Sequence, residues 1–212
     1  MKIELISKLY AKILGHPFFY DHIRYLIVGG QDETEAYKRL NITDEDIVLD
    51  VGCSTGVFFN NCGTFREYHG LDIDEISLEV CKQTAQELNL TNCHFYSEYI
   101  SKALVKKIRP TKVVLGGILH FLPDYEVHTL FDALIQSDRL QGIVSYDAAY
   151  YQGKYINNFF SYMTRGQHNR HPLEYIALAE QHHIKVIETF NITTGNGAMT
   201  LHGMHMTPPK NG

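Results

Sequence analysis

No apolar run in this chain reaches the roughly 18 residues that a membrane-spanning helix requires. The opening stretch Met1-Lys2-Ile3-Glu4-Leu5-Ile6-Ser7-Lys8 breaks its apolar positions with charge too often for a secretory leader. Basic excess is missing as well: 19 Lys and Arg stand against 24 Asp and Glu, a formal net charge of −5. Nucleic acid and anionic lipid therefore find no electrostatic footprint. Cys53, Cys62, Cys81 and Cys93 form no C-x-x-C pair, which leaves neither a zinc ribbon nor a redox dithiol and points to reduced thiols. Histidine is plentiful, with 12 residues, six of which (His168, His171, His182, His183, His202 and His205) crowd the C-terminal third, but metal ligation needs convergence. His202 and His205 are three apart in a strand-like run, so their side chains face opposite sides, and no metal is expected. Internal repeats and low-complexity tracts are also missing. These absences predict a cytoplasmic protein that acts on a small molecule, without nucleic-acid or membrane partners; a homodimer is left open.

What is present is enough for one core: 212 residues, 44% of them hydrophobic, suit a single domain. In the first 40 residues Leu5, Leu9, Ile13 and Leu14 fall at helical spacing, Gly15-His16-Pro17 breaks the pattern, and Tyr20, Ile23 and Ile27 resume it. A helical cap over 1–44 is predicted. Buried strands follow at Ile47 to Val51, Tyr68 to Asp72, Cys93 to Tyr96, Lys112 to Leu115 and Gly142 to Tyr146, separated by helix-length segments such as that from Asp74 to Leu88. Such spacing suits right-handed parallel crossovers, hence an α/β, doubly wound core over 45–150. The apolar runs Ile184 to Phe190 and Met199 to Met206, joined by a short polar link, predict a C-terminal hairpin within 172–212, with one antiparallel strand at the sheet's edge. Residues 148–171 are left as a lid.

Ligands of an open α/β sheet bind beyond the carboxyl ends of its strands, and the first strand-to-helix turn comes closest. That turn here is Asp50-Val51-Gly52-Cys53-Ser54-Thr55-Gly56. It lacks the G-x-G-x-x-G spacing of dinucleotide sites, and a leading carboxylate disfavours pyrophosphate while suiting a cationic ligand. Asp72, about 20 residues on at the tip of the second strand, stands where an acid accepts ribose hydroxyls. The turn resembles the acidic-x-G-x-G-x-G signature of class I S-adenosylmethionine-dependent methyltransferases, with Ser54 at the middle glycine. Gly70-Leu71-Asp72-Ile73-Asp74 is similar to that family's second motif, and Leu115 to Asp124 resembles the fourth-strand segment of its small-molecule members, including the ubiquinone-biosynthesis type. Thr164 to Tyr175 is similar to a stretch of compact bacterial methyltransferases. The resemblance implies a Rossmann-like sheet of seven mostly parallel strands and S-adenosyl-L-methionine as cofactor. It places Asp50, Gly52, Cys53, Ser54, Gly56, Asp72, Ile73, Ser97, Glu98, Gly116 and Gly117 around that cofactor, with Tyr20 closing the site.

Methyl transfer from a sulfonium needs mainly an aligned nucleophile and, where required, removal of its proton. His120, just past the fourth strand, is the candidate base, and Asp147 at the end of the fifth is expected to face the same crevice. In the lid, Tyr150, Tyr151, Tyr155 and Phe159 are expected to line a flat or apolar acceptor, with Arg165 and Arg170 placed to hold a carboxylate or phosphate. No N-P-P-Y-like motif follows the fourth strand, so O-methylation of a partly aromatic or apolar metabolite is the expected reaction. The alternative is a regulatory protein that binds the cofactor without transferring its methyl group.

Overall fold

Isoleucine, valine and leucine make up β1 (Ile47–Val51) apart from Asp50, and all five of its residues are buried. A strand apolar on both faces belongs in the middle of a parallel sheet covered by helices on both sides, and β1 lies there. In the computed structural model, which describes residues 30, 32–60, 63–164 and 166–209, the other strands are β2 (Glu67–Leu71), β3 (Cys93–Tyr96), β4 (Lys112–Gly116), β5 (Gly142–Ala148), β6 (Lys185–Thr193) and β7 (Thr200–Thr207). They form one seven-stranded sheet in the order β3-β2-β1-β4-β5-β7-β6. β1 to β5 are mutually parallel, and β7 runs antiparallel to both of its neighbours. The predicted fold class stands.

Among the described residues one helix precedes the sheet, α1 (Thr34–Leu40); the others are α2 (Glu75–Glu87), α3 (Lys102–Ile108), α4 (Asp124–Leu134), α5 (Tyr155–Met163) and α6 (Pro172–Glu180). Strand alternation divides the core in two. Leu49, Val51, Val113, Leu115 and Ile143 meet α3, α4 and α6 on one face. Val48, Tyr68, Val114 and Val144 meet α1 and α2 on the other. The predicted helical pieces before residue 30, including Tyr20, lie outside the described residues.

Two expectations need correction. The antiparallel strand is not at the edge: β7 inserts between β5 and β6, and β6 is outermost. Burial explains the order, because β7 (TLHGMHMT) is almost wholly buried whereas β6 (KVIETFNIT) exposes most of its polar positions. Gly203 of β7 sits under the Phe190 ring of β6, so closely that a Cβ there would overlap the ring. The second correction concerns β5, which runs on to Ala148 and so carries Asp147 inside the strand. As the strand period requires, His202 and His205 part company: the His202 ring stacks 6.2 Å from that of Tyr175, while His205 lies toward Gly142.

Candidate active site

Sheet order reverses between β1 and β4, and the crevice that opens there at the strands' carboxyl ends is where the first turn meets solvent. The turn is built on left-handed backbone. Gly52 takes φ 76°, and a Cβ there would stand 2.7 Å from Ile118 Cδ1, so only glycine fits between the turn and the segment after β4. The backbone N–H groups of Gly52 and Cys53 both donate to the Leu71 carbonyl, at 2.8 and 3.0 Å, tying the turn to the end of β2. Ser54, which replaces the family's glycine, also has positive φ, 47°. Its N–H donates to Asp72 Oδ2 at 2.8 Å, and that of Asp74 donates to Asp72 Oδ1 at 2.9 Å. Asp72 is thus oriented by two backbone donors, and each of its oxygens keeps a lone pair for a ribose hydroxyl.

Asp50 lies beneath the same turn, buried, with the Tyr68 hydroxyl donating to its Oδ2 at 2.8 Å. Burial pushes its pKa up to about 7; the Tyr68 hydrogen bond opposes the rise and the charge of Asp72 adds to it. A cation arriving beside Asp50 stabilises the carboxylate form.

Across the crevice, Gly116 and Gly117 end β4. A side chain at Gly116 would overlap the Tyr146 hydroxyl, and that hydroxyl in turn meets Tyr37 of α1 at 2.9 Å. His120 follows in a short 3₁₀ turn, Leu119–Phe121. It is buried, its Nδ1 lies 2.9 Å from Asp147 Oδ1, and its backbone N–H donates to the same oxygen at 3.2 Å. The carboxylate accepts the Nδ1 proton, leaving Nε2 as the nitrogen with a lone pair for a substrate. The lid closes over the back of the ring: His168 N–H donates to the His120 carbonyl at 3.0 Å, and Gly166 packs so tightly that a Cβ would overlap the imidazole.

These elements surround a cavity of about 920 Å³. Of the site residues named from the sequence, Asp50, Gly52, Cys53, Ser54, Asp72, Ile73, Glu98, Gly116, Gly117 and His120 line it. Ser97 and Gly56 do not: Ser97 Oγ donates to Glu75 at 3.4 Å, and a Cβ at Gly56 would stand 3.0 Å from the Phe59 ring and 3.1 Å from Cys81 Sγ. Asp147 does not face the crevice either. It lies behind His120 and reaches the cavity only through that ring.

The lid departs most from expectation. None of Tyr150, Tyr151, Tyr155 and Phe159 lines the cavity, and on α5 Tyr155 is 85% and Phe159 59% exposed. Arg170 is turned inward and fully engaged. Nε and Nη2 donate to Asp124 Oδ1, Nη1 to the carbonyls of Leu119 and His168, and Nη2 also to that of Leu122, at 2.6–3.0 Å. All five guanidinium N–H groups are accounted for, so none is left for a substrate anion. Arg165 lies outside the described residues. Sequence reasoning missed Tyr37, Glu33, Ile118 and Tyr146, and also Met199 and Leu201 from the C-terminal hairpin, all of which line the cavity. Ile118 comes with the turn after β4, and the packing of α1 and of the C-terminal hairpin against β5 brings the others, which no local motif announces.

Among the described lining residues are six acids, Glu33, Asp50, Asp72, Asp74, Glu98 and Glu126, and no lysine or arginine. That donor set fits a cationic, ribose-bearing cofactor and rejects a pyrophosphate. The family model for a methyltransferase domain matches residues 42–169, and the chain belongs to this family. It is an S-adenosylmethionine-dependent methyltransferase of class I, with S-adenosylmethionine as its cofactor. A probable cobalt-precorrin-6B C(15)-methyltransferase (decarboxylating) of Methanocaldococcus jannaschii is 23% identical over 170 residues, 76% of this chain and 87% of that protein. Among solved structures, a SAM-dependent methyltransferase from Aquifex aeolicus superposes with a TM-score of 0.63 at 14% identity, covering 86% of this chain and 92% of the other. Magnesium protoporphyrin IX methyltransferase from Synechocystis PCC 6803 with bound SAH gives 0.58 at 15% identity, covering 77% and 74%. Among the described residues no helix is long and apolar enough to cross a membrane.

Proposed function

We propose that the enzyme methylates an uncharged, partly aromatic or apolar small molecule on oxygen, with His120 as the general base. The observation that carries this reading is the His120–Asp147 pair on the cavity wall, with Nδ1 held at 2.9 Å from a buried carboxylate. When bound, S-adenosylmethionine supplies an activated methyl group. The chain's own contribution is to position and to move one proton. Asp50, Asp72 and Glu98 cradle the cofactor's polar parts, the glycines of both turns let it approach the backbone, and Asp147 fixes the His120 tautomer. His120 Nε2 would take the acceptor hydroxyl's proton, while the bound cofactor would give up its methyl group and leave as the neutral thioether.

Charge supports an uncharged acceptor. A cavity with six acids and no described lysine or arginine repels a polyanion, and Arg170 is saturated by its own protein contacts. Apolar side chains along the cavity, among them Ile118, Leu130, Met199 and Leu201, favour an aromatic or aliphatic acceptor. A metabolite screen with a radiolabelled methyl donor tests the class. Label chiefly in added RNA, DNA or protein overturns the small-molecule reading. For the base, His120→Ala is expected to lower turnover by about 10²–10⁴-fold with cofactor affinity nearly intact, and unchanged turnover removes His120 from the reaction.

A further inference from the structure

At the opposite edge of the sheet, β2 and β3 bring together a second set of chemistry-bearing side chains. Glu67 and His69 are two residues apart on β2 and share one face, and the parallel register sets His94 of β3 directly beside His69. Ligand-capable atoms of all three lie within 4.8 Å of one another, and His69 Nε2 stands 3.4 Å from a Glu67 carboxylate oxygen. The other nitrogen of His69 is held from behind, with Nδ1 3.1 Å from the Tyr96 hydroxyl. Metal-ligating imidazoles are commonly oriented this way, by a hydrogen bond at the nitrogen that faces away from the ion. His69 is buried and His94 exposed, so one ligand is fixed and the other is free to swing. None of the three lines the methyl-transfer cavity.

We propose that Glu67, His69 and His94 bind one divalent transition-metal ion of the zinc type, which clamps the edge strand β3 to β2. Two imidazoles and a carboxylate match the preferences of such an ion, whereas calcium and magnesium select all-oxygen shells. Three protein ligands leave a fourth position for water. The two imidazole rings stack with centroids 4.8 Å apart, so His94 turns out of the stack to aim a nitrogen at the ion. That rotation at an exposed side chain draws the ligands to the spacing set by zinc–nitrogen bonds of about 2.0–2.1 Å. The sequence reading expected no metal because it weighed spacings within one segment; sheet register makes this site.

A second histidine group supplies the control. His128 Nδ1 lies 2.8 Å from His182 Nε2, and His182 Nδ1 lies 2.9 Å from Asp132, so these nitrogens are spent on one another. The test uses full-length protein stripped with EDTA and titrated with zinc chloride alone, by calorimetry and by competition with a chromophoric chelator. Wild type is expected to bind one zinc with micromolar affinity. The affinity should fall at least about tenfold in His94→Ala and in Glu67→Ala, a loss no smaller than that caused by removing outer-shell partners, and should hold in His128→Ala. Zinc should raise the melting temperature of wild type and not that of His94→Ala. Cofactor binding by each variant reports that it is folded. No micromolar binding to wild type, affinity that survives both β2–β3 substitutions, or loss only in His128→Ala each overturns the proposal.

Discussion

Asp50 shows how one residue couples cofactor binding to pH. Its carboxyl, buried against Tyr68 and near Cys53 and Asp72, is pushed from 3.8 up to about 7. Between those two values the folded protein holds a proton that the unfolded chain has released, so this group's contribution to stability falls as pH rises from about 3.8 to about 7 and is flat above. A cationic cofactor favours the ionised form, so binding below about pH 7 must expel that proton. Affinity for S-adenosylmethionine is therefore expected to rise by up to about tenfold per pH unit toward neutrality and then level off. Calorimetry across pH checks this, and in Asp50→Asn the dependence should vanish; a wild-type affinity that does not change over that range assigns the cation's partner elsewhere. At this scale the cofactor side was legible. Asp50 and Gly52 share one local turn, where a strand end followed by left-handed backbone leaves few arrangements, and Asp72 meets that turn because β2 pairs beside β1. Ser54 shows how the turn tolerates a missing glycine, since a small side chain accepts φ 47° at modest strain.

Among the elements, the lid behaves least as its pattern suggests. Helix α5 is amphipathic in reverse. Tyr155, Ile156, Phe159 and Tyr162 are exposed, while its buried positions are polar Asn157 and Ser161. Backbone groups beyond the ends of the sheet dictate that choice: Asn157 and Ser161 both donate to the Ala149 carbonyl, at 2.9 and 3.0 Å, and Thr200 N–H donates to Asn157 at 2.7 Å. Unpaired, these buried groups would each cost about 1–3 kcal/mol, so the helix turns its amides and hydroxyls inward. Tyr155 and Phe159 were expected to line the acceptor because the segment is rich in aromatics and well placed to cover the site, and composition does not say which face of α5 they occupy. What the lid does contribute is pressure on His120 through Gly166. Gly166→Ala must push the imidazole or its carbonyl, the latter 2.6 Å from the new Cβ, and cannot do so without shifting His120 against Asp147. It is expected to destabilise the protein by about 1–3 kcal/mol and to lower turnover more than it weakens cofactor binding. Thermal unfolding and steady-state kinetics measure both effects. Wild-type turnover in Gly166→Ala would show that the lid does not set the ring.

For the molecule as a whole, the cavity joins parts distant in sequence: both strand-end turns, α1 through Tyr37, and the C-terminal hairpin through Met199 and Leu201. A ligand seated there binds the folded chain and not the unfolded one. With free S-adenosylmethionine at 100 times its Kd, stability is expected to increase by about 2.7 kcal/mol. For a chain of this size that is a rise in melting temperature of about 5–11 °C. The demethylated product should give a shift of the same sign, and scanning calorimetry with each ligand measures it; NADH, which the acid-rich turn disfavours, should give none.

The alternation of apolar strands with helix-length segments by itself determined the doubly wound sheet, because a parallel pair cannot close without a crossover. The turn after β1 is likewise local, because residues 50–54 adjoin in sequence and the left-handed backbone at Gly52 and Ser54 decides their path. Tertiary structure alone decided the rest. Strand order placed β7 inside β6, since β7 carries no Asp, Glu, Lys or Arg, whereas Lys185 and Glu188 keep β6 at the solvated edge. The fold of segment 166–170 spent Arg170 on Asp124 and on main-chain carbonyls, since a buried guanidinium must satisfy all five of its N–H groups. Register set His69 beside His94, and Asp147 behind His120, pairings between segments far apart in the chain whose chemistry exists only once the sheet has formed.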